Sequence, residues 1–219
     1  MTTHTIDIVS DVICPWCWIG KRHLATALEE VAEDGLAFNV RWRPFRLNPD
    51  MPPEGRDRAA YRAQKFGSAE RAAELDARIV QVGATVGLDF RFDRQPRTPD
   101  TLPAHRLLRF AEQVGTASEV KEALFQAYFH DGKDISDRGL LDEIGAAHGV
   151  ADVAARLAGD EALADIEAED LAARQGGVNG VPTFLLDRHV LVSGAVPGTE
   201  LAGLLRRGVA ILRSRAAAD

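Results

Sequence analysis

The sequence predicts an α/β fold whose sheet is assembled from both ends of the chain and interrupted by an all-helical insertion. Three observations lead there: a short β-branched segment runs straight into a helix opened by proline, a long stretch of helical apolar stripes fills the middle, and two short strands followed by a helix close the chain.

Thr5 to Ser10 is β-branched and partly alternating, as a strand should be, and Asp11 to Cys14 lead into Pro15, which suits the first turn of a helix. Trp18, Leu24, Ala25 and Leu28 continue that helix to about Asp34-Gly35, where glycine supplies a left-handed cap. Phe38, Val40 and Trp42 alternate with Asn39, Arg41 and Arg43, marking a second strand that Pro44 ends. Arg46 to Arg56, with four residues of proline or glycine type, reads as a connector. Helices are expected over Tyr61 to Phe66 and Ala69 to Val86, then, past a connector around Phe90 to Pro99, along Ala104, Leu107, Leu108 and Ala111 with Pro103 in the first turn. Val120, Leu124, Tyr128 and Phe129 form another stripe, and Leu140, Leu141 and Ile144 a further one, with Ser136 as expected N-cap and Gly149 as stop.

Ala162 to Gln175 is helical and ends at Gly176-Gly177. Thr183 to Leu186 and Val190 to Ser193 read as a hairpin about Asp187-Arg188-His189, and Thr199 is the expected N-cap of a last helix carrying Leu201, Leu204, Leu205 and Leu212, with fraying beyond Arg213. Without the central block the order is β-α-β-α-β-β-α, which is thioredoxin-type. Because loops beyond about 15 residues are uncommon, the block is expected to be a subdomain, giving residues 1–50 and 162–219 to one thioredoxin-like domain and 51–161 to the helical insertion.

A chain of 219 residues, 46% hydrophobic and 27% charged, buries a core without staples. Its net charge of -7 argues against nucleic-acid binding, which requires a basic surface. No apolar run reaches the roughly 18 residues of a membrane span, and the start lacks an apolar signal core, so the cytoplasm is the expected compartment. Thiols are kept reduced there, which makes the two cysteines, Cys14 and Cys17, catalytic or metal-binding rather than structural.

Dithiol exchange needs one accessible thiolate to attack and a second thiol to break the resulting mixed disulfide. Cys14-Pro15-Trp16-Cys17 at a helix start meets both needs, with Cys14 exposed at the positive end of the helix as nucleophile and Cys17 more buried as resolving thiol. Zinc would require about two further ligands, and the six histidines show none of the usual spacings, so no metal and no cofactor are expected. Lys21, Arg22 and His23 read as a solvated face, Trp18 and Trp42 as core, Asp11 as a cap of the helix with proton transfer to Cys17 as its rarer role, and His105 as a satisfied histidine outside the site. Trp16 either shapes substrate contact or packs against the insertion.

The segment from Ser10 to Gly20, Ser-Asp-Val-Ile-Cys-Pro-Trp-Cys-Trp-Ile-Gly, resembles the active-site segment of FrnE-type proteins in the DsbA family. Arg43-Pro44-Phe45-Arg46-Leu47-Asn48-Pro49 resembles the family's segment after its second strand, and Gly177 to Phe184 its Gly-Val-Pro-Thr-Phe loop. The resemblance implies a cis bond before Pro182, which would place the backbone of Val181 beside the cysteines, and it makes Pro15, Trp16, Val181 and Pro182 the expected substrate-contacting residues. It implies a thiol-disulfide oxidoreductase acting on protein or small-molecule thiols and disulfides, as a monomer or homodimer, with oxidase, reductase and isomerase directions open and glutathione a candidate co-substrate. Two alternatives stand beside it. One is a glutathione-dependent enzyme of the 2-hydroxychromene-2-carboxylate isomerase or kappa-class transferase type, although those relatives typically carry serine at the position of Cys14. The other is a polypeptide-binding chaperone module. The second cysteine pair that some FrnE relatives carry near the C-terminus is missing from this sequence.

Overall fold

The computed structural model describes residues 4–216. A four-stranded sheet has the order β2-β1-β5-β6, formed by β1 (His4–Ser10), β2 (Phe38–Pro44), β5 (Thr183–Leu186) and β6 (His189–Ser193). Strand β1 is central, parallel to β2 and antiparallel to β5, with Ile8 opposite both Trp42 and Phe184. The chain ends thus meet within one sheet.

The period of two along β1 decides which layer each side chain joins. Ile6 and Ile8 face helices α1 (Pro15–Ala32) and α9 (Gly198–Ala216), in a core with Leu24, Ala27, Val31, Leu201, Leu205 and Val209. Val9 faces the other way, toward Phe45 and Val178. Asp7 on that second face is buried, and its carboxylate accepts from both Arg41 and Arg43 at 2.8–2.9 Å. The charged alternation of β2 therefore neutralises an acid on the neighbouring strand. At the hairpin, Asp187 and Arg188 both take positive φ, the geometry of a tight two-residue turn, and Asp187 also accepts from the Thr5 amide at 2.7 Å, fixing the start of β1.

Between β2 and β5 lie α2 (Arg58–Phe66), α3 (Ala69–Ala84), α4 (Leu102–Gln113), α5 (Ala117–Phe125), α6 (Arg138–Ala147), α7 (Val153–Ala158) and α8 (Leu163–Gln175). The expected apolar stripes fill a second core of Leu107, Leu108, Phe110, Val120, Leu124, Phe129, Leu141 and their neighbours. Ala127, Tyr128 and Phe129 are consecutive and all buried, and they lie in a π-helical turn over Gln126–His130 that continues α5 into this core.

Several local expectations are corrected. The N-cap of α6 is Asp137, not Ser136: its side chain accepts from the Leu140 amide at 2.8 Å, while the Ser136 hydroxyl donates to Asp134 instead. Helix α9 begins at Gly198, so Thr199 lies inside it, and it continues past Arg213 to Ala216; the rest of the expected frayed tail, residues 217–219, lies outside the described residues. Both proline-rich connectors contribute to a small antiparallel pair, β3 (Arg56–Asp57) with β4 (Arg97–Thr98), too short to leave any periodicity in the sequence.

Trp18 joins the two cores. It projects from α1 into the helical block, fully buried, with ring centroids 5.2–6.0 Å from Phe90, Phe125 and Phe129, and its Nε1 donates to Glu122 Oε1 at 2.9 Å. Lys21 and Arg22 ion-pair with the same carboxylate, so they bind α1 to α5 and do not form a free solvated face. Trp18→Ala is expected to lower the unfolding free energy by roughly 3–5 kcal/mol, the usual cost of emptying a large aromatic site, as read from urea denaturation.

Candidate active site at the start of helix α1

Cys14 is the N-cap residue of α1, in extended conformation (φ -93, ψ 112), with Pro15 opening the helix. Neither a side-chain cap nor an acidic residue in the first turn satisfies the exposed amides there. The positive end of the helix is thus left for a sulfur. Cys17 lies one turn in, its amide donating to the Cys14 carbonyl at 3.0 Å. Both residues are free thiols.

The opposite wall comes from the loop before β5. The Val181–Pro182 bond is cis, as the resemblance implied, and the Cys14 thiol donates to the Val181 carbonyl at 3.5 Å. Gly20 makes this approach possible: a Cβ there would stand 2.9 Å from Pro182 Cγ and 3.5 Å from Phe184 Cζ. The glycine is required by contact, since the ring behind it is rigid.

A third wall is the segment after β2. The Arg46 amide donates to Asp170 at 2.9 Å, the Arg46 guanidinium donates to Asp100 at 2.9 Å, and Arg174 donates to the Arg46 carbonyl. Held on both sides, this segment presents the Leu47 amide to Asp11 Oδ2 at 2.7 Å. Asp11 is buried, and its other oxygen lies 3.1 Å from His105 Nε2. It does not cap α1, which corrects the expectation; the carboxylate points away from the helix, toward α4.

Burial alone would push the Asp11 carboxyl up, but hydrogen bonds from His105 and the Leu47 amide, with the charge of Lys121, hold it below the usual carboxylate range. Burial also lowers His105 more than Asp11 raises it, so the imidazole is neutral and donates through Nε2. The two thiols titrate together. Burial opposes a thiolate on Cys17, yet the Cys14 hydrogen bond, the Lys121 ammonium and the Ser10 hydroxyl outweigh it and bring Cys17 below the ordinary thiol value. Cys14 is pushed well above that value by its hydrogen bond to Cys17, by burial, and by the charge of Cys17. One proton leaves the pair readily and the second only with difficulty.

Access distinguishes the sulfurs. Cys14 is 5% exposed, not open to solvent as expected, and it lines a cavity of about 340 Å³; Cys17 is 1% exposed and does not. Pro15, Trp16 and Val181 line the same cavity, while Pro182 stands behind, against Gly20. Trp16 is half-buried; it packs on the helical core and also lines the cavity. Leu75, Ile79, Phe66 and Phe92 supply apolar walls, and Arg58, Arg62 and Lys65 of α2 supply cations. Asp76 ion-pairs with Arg58 and Arg62, and Arg62 Nε and Asn48 Nδ2 are buried donors without partners.

Sequence reasoning missed these α2 cations and also Lys121, a buried lysine whose Nζ lies against the Trp42 and Phe125 rings. In sequence the α2 residues are ordinary polar helix positions; only the unusual polarity of Lys121 inside the stripe Val120 to Leu124 offered a signal. Among the described residues no cluster of three or more His, Cys, Asp or Glu side chains is placed to hold a metal, and no helix is long and apolar enough to cross a membrane.

A Cys-X-X-Cys pair at the start of the first helix, faced by a cis-proline loop and roofed by helices inserted between β2 and β5, defines a thioredoxin-type dithiol protein with a helical insertion. The chain belongs to the family of the DSBA-like thioredoxin domain, whose model matches residues 5–206. It is 30% identical to a probable DsbA oxidoreductase, SCO1869, from Streptomyces coelicolor, with a TM-score of 0.83 over 93% of this chain and 89% of that one. It is 25% identical over 198 residues to the uncharacterized protein YwbO of Bacillus subtilis (strain 168), covering 89% of this chain and 92% of the relative. The cytosolic disulfide reductase DsbM from Pseudomonas aeruginosa, solved with GSH, shares the fold at a TM-score of 0.67 and 24% identity, over 94% of this chain and 98% of that one. This membership supports thiol-disulfide oxidoreductase activity in the broad sense.

Gly20→Ala is expected to cost about 1–3 kcal/mol through overpacking against Pro182 and to change the alkylation rate of Cys14, as the Val181 carbonyl is displaced. Thermal unfolding and iodoacetamide kinetics check the two parts.

Proposed function

We propose that the protein catalyses dithiol-disulfide exchange through Cys14 and Cys17, Cys14 attacking and Cys17 resolving. The observation that carries this reading is the asymmetry of access: Cys14 opens onto a cavity, Cys17 does not, and both lie at an uncompensated helix N-terminus. The singly ionised pair, its remaining proton shared between the two sulfurs, attacks through Cys14, the sulfur that faces the cavity. The Cys14–substrate bond forms as the substrate S–S bond breaks and one substrate thiolate leaves, the mixed disulfide lies along the Val181 carbonyl and Pro182, and Cys17 then attacks Cys14 and displaces the second substrate thiolate. Residues 51–161 act in this reading as a helical subdomain that roofs the thiols. Two cysteines and no others suit a reducing compartment, and we place the protein in the cytoplasm on that ground. No resident cofactor enters the exchange.

The cavity favours a small substrate over a folded protein. Its volume of about 340 Å³ lies within the range of small-molecule sites, and a sulfur only 5% exposed beneath α2 is out of reach of a disulfide fixed in a folded surface. Arg58, Arg62 and Lys65 match carboxylates on that substrate, and glutathione, a tripeptide bearing two carboxylates, is the co-substrate of choice. Retention of both thiols favours exchange over the isomerase or transferase alternative, whose chemistry needs only one hydrogen-bonding group at position 14.

Cys17→Ser is expected to accumulate a mixed disulfide with glutathione and Cys14→Ser to form none, as read by intact mass; the reverse pattern would sink the assignment of roles. Arg62→Met, which keeps the hydrocarbon stem, is expected to raise KM for oxidised glutathione roughly tenfold while leaving a neutral disulfide of similar size unaffected.

A further inference from the structure

Helix α2 is held unlike its neighbours. Arg58, Tyr61, Arg62, Lys65 and Phe66 recur at the spacing of one helix face, and all five line the cavity beside Cys14. A face turned inward is ordinarily an apolar stripe. This one carries three cations and a tyrosine, and α2 buries no residue, whereas every other α-helix between β2 and β5 buries at least two. Apolar burial therefore contributes little to keeping α2 in place.

What fastens α2 is polar. Asp76 of α3 pairs with Arg58 at 2.8 Å and with Arg62 at 2.6 Å, and the Tyr61 hydroxyl donates to Asn48. The Arg62 pair is close but poorly aligned: Arg62 Nε and Nη2, Asp76 Oδ1 and Asn48 Nδ2 are all buried without a hydrogen-bond partner. These atoms regain water when α2 lifts, which offsets the loss of the ion pairs. The two ends of the helix differ as well. Ahead of it, Arg56 and Asp57 pair with β4, and at Gly55, where φ is +68, a Cβ would stand 2.6 Å from the Thr98 carbonyl oxygen. Behind it, Gly67 takes φ +95, and a Cβ there would meet nothing within 4 Å.

We propose that α2 is a lid over Cys14, pivoting at β3, bending at Gly67 and latched by Asp76 and Asn48, and that disulfides reach Cys14 while it is lifted. The uneven ends set the motion. Leu75 and Ile79 of α3 stay in place, because Ala72, Ile79 and Gly83 bury that helix, so the opened site remains a cleft. Size makes the lid necessary: a cavity of about 340 Å³ is near the lower end of small-molecule sites, and a disulfide brings two halves to a sulfur 5% exposed. The lid governs access to Cys14 and holds whichever disulfide that sulfur takes.

Asp76→Asn and Tyr61→Phe are to be compared with the parent in a Cys17→Ser background, where Cys14 is the one thiol left, by its rates of modification with iodoacetamide, which is small, and N-(1-pyrenyl)maleimide, which is bulky. Both reagents are neutral. A change in thiolate fraction alters both rates alike, so their ratio reads opening. Asp76→Asn is expected to raise the bulky-to-small ratio about fivefold, and Tyr61→Phe to raise it by less. Sodium chloride at about 1 M, where the screening length falls to about 3 Å, is expected to raise the ratio in the parent and not in Asp76→Asn. Ratios that neither variant nor salt changes overturn the proposal. If the variants do not fold, hydrogen exchange of the wild-type protein decides: α2 amides are expected to exchange about tenfold faster than those of α3 and faster still with salt, and an α2 as protected as α3 overturns the lid. A protein that forms no mixed disulfide with glutathione would defeat the dithiol reading while leaving these ratios as they are.

Discussion

Everything at the site depends on how helix α1 is gripped. Its inner face, Leu24, Ala27 and Val31, is locked to β1 and α9, while Trp18, one residue beyond Cys17, is driven into the helical core. Two cores therefore fix one helix from opposite sides. The first turn of that helix, which carries both sulfurs, cannot move without disturbing either the sheet layer or the aromatic cluster around Phe125 and Phe129. Rigid support on both sides is what allows a sulfur to be held against a backbone carbonyl and still remain reactive.

The same clamp determines the electrostatics. Because the thiols lie at a junction of two packed layers and not at a surface, charges near them are poorly screened, and a few groups decide which proton leaves first. Asp11, His105 and Lys121 come from the loop after β1, from α4 and from α5, so both layers contribute to one buried polar cluster. The cavity beside Cys14 is built likewise: Val181 comes from the loop before β5 and Arg58, Arg62 and Lys65 from the inserted helix α2.

The fold was legible wherever a segment was long enough to show its period. The alternation of Phe38, Val40 and Trp42, the stripe Ala104 to Ala111 and the hairpin at Asp187-Arg188 all appear as expected. Two-residue strands such as Arg56-Asp57 carry no period, and the π-helical turn depends on three adjacent residues finding room in the same core, which is a tertiary outcome. Caps failed for a related reason: Ser136 and Asp137 are both good caps, and one residue of register, set by where Leu141 packs, chooses between them. At the site, the cysteine pair and the Val-Pro loop were visible because their chemistry is written in adjacent residues. Lys121 and Arg62 were not, since their surroundings come from residues distant in the chain, Trp42 for Lys121 and Cys14 for Arg62, and polar residues on helices are ordinary until their neighbours are known.

The pairing of β1 with β5 also orders events at the ribosome. Cys14 and Cys17 precede Val181, Pro182 and β5 by more than 160 residues of synthesis. At common elongation rates the interval is on the order of ten seconds or more. During that time the nascent thiols have neither their carbonyl partner nor their sheet neighbour, and the central strand has only β2 beside it. The cysteine pair therefore waits through that interval without the loop that later faces it, and the wall that closes over Cys14 is the last part of its surroundings to be made.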